Sequence, residues 1–142
     1  LRAPRQLVSQ VEALVQHHLA PSQFIKNQAG AKAYRRLARK LASAGVDMTL
    51  LYQVSLADNL GRSTKEALAG QFPAGKTFLA KAKELTVDRH GPRDIVRGRD
   101  LIARGITPGP QFRELLDKCR ELQDEHGWDD PVRVLDEVLK NH

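Results

Sequence analysis

Apolar residues in this chain recur at intervals of three and four, and nowhere do they alternate with polar residues over the length of a strand. That spacing is the helix's own period, which places side chains three and four apart on one face. Leu7, Val8, Val11, Leu14, Val15 and Leu19 open the pattern, Tyr34, Leu37, Ala38 and Leu41 repeat it, and Val132, Leu135, Val138 and Leu139 close it. The pattern predicts an all-α fold, an irregular multi-helix array of about seven to eight helices. The sequence holds no internal repeat and no low-complexity tract.

Punctuation residues place the breaks. Pro4 suits a first turn and Pro21 ends the first run, so residues 22–30 read as a loop or irregular helix anchored by Phe24 and Ile25. A second helix over residues 31–44 stops at Gly45, and Asp47 caps a third, which ends at Gly61. Ser63 and Glu66 have capping-box spacing ahead of a short helix. Another helix carries Phe78, Leu79, Ala82 and Leu85. Residues 86–97 are less regular, with Gly91-Pro92 marking a subdomain break. A short helix, residues 99–104, ends at Gly105. Pro108-Gly109-Pro110 launches the longest C-terminal helix, which stops at Gly127. Asp129 or Asp130 caps the last one, with Pro131 in its first turn.

The 142 residues suffice for one domain or two small helical ones. Aromatics make up only 5%, so the core must come mainly from Leu, Val, Ile and Ala. Cys119, the single cysteine, excludes an intramolecular disulfide and fits a reducing, cytoplasmic setting. No apolar run approaches the roughly 20 residues of a membrane span. The first residues have no signal-peptide character, and a start at Leu1 without Met fits a piece of a longer protein or a trimmed chain. With 23 Lys and Arg against 17 Asp and Glu, the net charge of +6 favours an anionic partner, nucleic acid foremost.

Several motifs carry possible chemistry. Residues 70–77, from Gly70 through Gly75-Lys76-Thr77, match the P-loop pattern. A working P-loop follows a buried strand, whereas the residues before this one read as a capped helix, and Pro73 removes an amide from the phosphate cradle. His17 and His18 on the first helix and Asp58 on the third could hold a divalent metal if further ligands joined them, but no adjacent His-Asp pair is present. His90, His126 and His142 fall near helix ends or loops. Cys119 lies on an apolar face, as a small core residue does. Trp128 is expected to seal the last helix junction.

The arginines around the Gly-Pro turn form the candidate binding set: Arg93, Arg97, Arg99, Arg104 and Arg113, with Gly109 leaving room for a phosphate at a helix N-terminus. Spacing alone leaves open whether they contact an RNA backbone or decorate a rigid interhelical turn.

Residues 98–112, from Gly98-Arg99-Asp100-Leu101 through Pro108-Gly109-Pro110, resemble a signature near the C-terminus of bacterial tRNA nucleotidyltransferases, the CCA-adding enzymes and related poly(A) polymerases. Leu14-Val15-Gln16-His17-His18-Leu19 resembles a segment of the HD-type domain in many of these proteins. Tyr34-Arg35-Arg36-Leu37-Ala38 and Leu56-Ala57-Asp58-Asn59-Leu60-Gly61-Arg62 resemble two further segments, in the same order. The resemblance implies a fold like the poly(A) polymerase C-terminal region. It divides the chain into residues 1–62, the end of an HD-like domain, and residues 63–142, a helical body and tail. It implies a non-catalytic region that binds and positions tRNA for an N-terminal catalytic part of the same protein.

The family's catalytic head has a Gly-Ser motif, paired metal-binding aspartates and a nucleotide-selecting segment, and none of these occurs here. No cofactor is therefore expected on this chain, and Mg2+ belongs to the head. His18 and Asp58 match only the trailing positions of the HD metal site. Two other readings stand beside this one: a fragment of an HD-type metal-dependent phosphohydrolase, and a structural helical interaction module.

Overall fold

The computed structural model describes residues 4–140 of the chain. Leu1, Arg2, Ala3, Asn141 and His142 lie outside the described residues. Helices and their connections account for everything described, with no strand among the described residues. The all-helical array expected from the apolar spacing is therefore the fold. The chain forms two compact units, Leu1–Pro92 and Arg93–His142.

Unit 1 contains α1 (Pro4–His17), α2 (Ala20–Lys26), α3 (Ala31–Ser43), α4 (Met48–Leu60), α5 (Lys65–Leu68) and α6 (Pro73–Glu84). Its core joins Tyr34, Leu37 and Leu41 of α3, Met48 and Leu51 of α4, and Phe78 and Ala82 of α6. Three rings meet at its centre. Phe24 of α2 lies edge-on to Tyr34 at 5.0 Å and to Phe78 at 5.6 Å, while Tyr34 stacks on Phe78 at 5.3 Å. Such pairs add to the stabilisation from area burial. Few aromatics are present, but three of them occupy one spot.

Local capping follows the sequence in most places. The Asp47 carboxylate accepts from the Leu50 amide at 2.8 Å and so starts α4. Thr64, rather than Ser63, caps α5: its hydroxyl accepts from the Ala67 amide at 3.2 Å, the correct offset for a helix that begins at Lys65. Pro21 does not terminate α1. The chain breaks at His18–Leu19, and Pro21 sits in the first turn of α2, where its missing amide costs nothing. The stretch expected as a loop or irregular helix begins within α2.

After α6 the chain folds back without regular structure. The Thr49 amide and hydroxyl both donate to the Asp88 carbonyl, at 3.1 and 3.2 Å. Gly91 lies so close to α3 that an added Cβ would sit 2.8 Å from the Ala38 carbonyl oxygen. Residues 63–92 therefore belong to unit 1, through Phe78, Ala82 and Val87 in its core. The boundary between the compact units falls at the Gly91-Pro92 punctuation: an element joins the unit that buries its apolar face.

One apolar stripe stays outside that core. Leu14 of α1 packs inward, but Leu7, Val8, Val11 and Val15 remain 49–59% exposed.

Unit 2 contains α7 (Gly98–Ala103), α8 (Gln111–His126) and α9 (Pro131–Leu139). Leu101, Leu115, Cys119, Val134 and Leu135 are its buried centre. Gly127 ends α8 in the left-handed conformation (φ 68°), which a residue without Cβ adopts without strain. Asp130 starts α9, accepting from the Val132 amide at 3.0 Å. Trp128 packs at this junction, stacked on His126 at 4.3 Å and covered by the Arg133 guanidinium at 4.1 Å. No helix among the described residues is long and apolar enough to cross a membrane.

Candidate nucleic-acid interface

The net charge is not shared between the units. Unit 1 has fourteen Lys and Arg against six Asp and Glu, a net +8, and unit 2 has nine against eleven, a net −2. The excess that points to an anionic partner therefore resides wholly in unit 1.

Within unit 1 the cations concentrate on α3. This helix carries Lys32, Arg35, Arg36, Arg39 and Lys40 and no acidic residue. Its inward face is Tyr34, Leu37, Ala38 and Leu41, all buried, so the helical period turns the basic side chains toward solvent. Lys32, Arg35 and Arg39 are half-buried and each has a partner. Arg36 and Lys40 are exposed, and neither pairs with an acidic group among the described residues. Across from them on α1, His17 is held below the usual histidine range, first by burial and then by the nearby Lys40 charge.

The arginines expected to bind RNA lie in unit 2, in mixed surroundings. Arg93, Arg97, Arg99, Arg104 and Arg113 are all exposed. Arg104 is paired with Asp136 at 2.9 Å. The Arg97 amide donates to Asp100 at 2.8 Å, which starts α7. Arg93 accepts a hydrogen bond from the Gln123 side chain at its carbonyl, which fixes its backbone and leaves its guanidinium outside. Arg113 sits in the first turn of α8 beside Glu114, which binds Lys118 at 3.5 Å. Gly109 is exposed and uncrowded, its nearest neighbour to an added Cβ being the Thr107 carbonyl at 4.0 Å. Prolines at 108 and 110 leave the adjoining end of α8 short of amide donors. The cleft between α8 and α9, about 310 Å³, is lined by Glu121, Glu125 and Glu137 against Lys118 alone.

His18 and Asp58 do come together, with Nε2 and Oδ2 at 3.9 Å. The same Oδ2 takes the Arg62 guanidinium at 3.1 Å, and His18 Nδ1 faces the Val15 carbonyl at 2.5 Å. No group of three or more His, Cys, Asp or Glu side chains able to hold a metal occurs among the described residues. The pair links the turn after α1 to α4, beside the Ser55 hydroxyl that donates to the His18 carbonyl.

The P-loop pattern has its own explanation. A helix, α5, precedes it, and Gly75 lies buried inside α6. An added Cβ at Gly75 would fall 2.4 Å from the Phe72 ring and 3.0 Å from Tyr52. The glycine is there so that a ring can pack, and no phosphate cradle forms.

Cys119 is buried, and burial pushes its thiol up to about 11, so it is no nucleophile at neutral pH.

The basic face of α3 was visible in the sequence, and counting charge by compact unit was the signal that would have singled it out. No family model, curated protein or solved structure matches this chain.

Proposed function

We propose that this chain is a helical RNA-holding module that grips a phosphate backbone through the basic face of α3. The carrying observation is the segregation of charge, +8 in unit 1 against −2 in unit 2, with an acid-free α3 as its densest part. Along a helix, residues four apart are about 6 Å apart on one face, so Lys32, Arg36 and Lys40 form a row suited to successive phosphates. Such contacts supply affinity without base readout, through release of counterions.

The resemblance to tRNA nucleotidyltransferases names the RNA that fits this role. In that setting the chain would hold tRNA while a catalytic part of the same protein, with Mg2+, adds nucleotides to its 3′ end. The exposed Arg93, Arg97, Arg99 and Arg113 would then be secondary contacts of unit 2.

Fluorescence anisotropy of a labelled RNA hairpin with the full chain tests this. Binding should weaken steeply with salt. Arg36→Glu with Lys40→Glu should weaken it by about tenfold or more and lower the salt slope by about 2. Arg93→Glu with Arg97→Glu should cost less. No binding at low salt, or a larger loss from the unit 2 pair, would overturn the assignment to α3.

A further inference from the structure

A second feature of unit 1 lies beside the basic face. α1, α2 and α3 line an open pocket of about 470 Å³ whose walls differ in character. Lys32, Arg36 and Lys40 form one side and His17 another, while Phe24 and Leu37 supply an apolar wall. Among the described residues, no acidic one lines it. Its size falls within the range of small-ligand pockets, roughly 300–1,000 Å³.

We propose that this pocket binds a phosphate monoester joined to a compact planar or apolar body, in the simplest case a nucleoside monophosphate or the phosphorylated end of an RNA. Arg36 and Lys40, with Lys32 beside them engaged by a partner of its own, suit a group carrying up to two negative charges with three acceptor oxygens. Arg36 adds a planar fork that can take two of those oxygens together. The apolar wall is preformed, because Phe24 is held edge-on by Tyr34 and Phe78. A fixed wall lowers the ordering cost of binding. Gln23 on the same rim offers both a donor and an acceptor to a heterocycle edge.

His17 supplies an internal reporter. Burial and Lys40 favour its neutral form in the free protein. The charged groups lining the same pocket are Lys32, Arg36 and Lys40, all cationic. An anion seated among them must raise the His17 titration midpoint. The inference depends on the RNA reading only for the RNA-borne form of the ligand.

The test uses the full chain in calorimetric titrations with adenosine monophosphate, adenosine and inorganic phosphate. A short single-stranded oligonucleotide ending in phosphate or hydroxyl completes the set, and His17 is followed by NMR. The monophosphate should bind more tightly than adenosine or phosphate alone and move the His17 midpoint upward. Arg36→Gln with Lys40→Gln, both exposed and outside the core, should weaken it at least about tenfold.

Preference of the oligonucleotide for a phosphate end supports the RNA-borne ligand, and binding of the free nucleotide alone supports the small-molecule form. Equal binding of phosphate and monophosphate overturns the role of the apolar wall. Binding indifferent to the double substitution, or no response to any phosphorylated ligand, overturns the site. Hairpin binding that persists without any of these responses removes this inference alone. Monophosphate binding without hairpin binding removes the backbone reading alone.

Discussion

The two units differ in how many acids accompany their cations. In unit 2, Arg120 lies between Asp94 at 3.0 Å and Asp117 at 2.9 Å, and Arg104 meets Asp136. In unit 1, α3 lines up five cations with no acid on the helix, and Arg36 and Lys40 stand in solvent without an acidic partner among the described residues. A paired guanidinium contributes to local geometry, but its field is cancelled within a few ångströms. An unpaired one projects into solvent and attracts a polyanion. A count of cations therefore says less about the field of a surface than a count of cations together with their partners.

The cores differ as well, and the largest expected effect lies there. Phe78 touches both Phe24 and Tyr34 and has no exposed surface. Phe78→Ala should lower stability by about 3–5 kcal/mol in thermal or denaturant melts followed by far-UV circular dichroism. A loss below 1 kcal/mol would mean that the ring cluster is not the centre of unit 1.

Unit 2 has a different vulnerability, an alkaline one. Its buried thiol ionises near 11 when folded and near 9 when exposed, so the unfolded state loses the proton first. Stability from Cys119 is complete below pH 9 and declines as pH rises toward 11. Cys119→Ala should remove that part of the decline. Trp128, the one tryptophan, lies in unit 2 and reports it by fluorescence. Identical alkaline slopes in the two proteins would contradict this.

The smallest effect concerns the paired arginines. Arg104→Ala should change stability by about 0–1 kcal/mol, since its ion pair with Asp136 is partly exposed. It should leave hairpin binding nearly unchanged. A loss matching that of the α3 pair would erase the contrast between the units.

Much of the fold could be read from the sequence because its signals are local. Asp47 and Asp130 act within three residues of themselves, and the αL turn at Gly127 needs only the absence of a Cβ. Three features required long-range information. Whether Pro21 ends a helix or begins one depends on the break at His18–Leu19. The apolar spacing of α1 is helical, yet helical spacing cannot tell that Leu14 packs on the core while Leu7 and Val11 stay about half exposed. The grouping of α6 with unit 1 depends on Phe78 meeting Tyr34, forty-four positions away. The candidate site follows the same rule: Arg104 was visible in the sequence, but its carboxylate partner, Asp136, became visible only in three dimensions.

The strap of residues 86–91 bears on how the molecule breathes. First-turn amides of a helix ordinarily have no partner within the helix and exchange their hydrogens quickly. The Thr49 amide is an exception, because the Asp88 carbonyl takes its hydrogen across thirty-nine positions. Its exchange with deuterium thus becomes a clock for the opening of the strap, distinct from the fraying of α4. The clock runs faster in any variant that loosens Gly91 from Ala38, before any helix has melted.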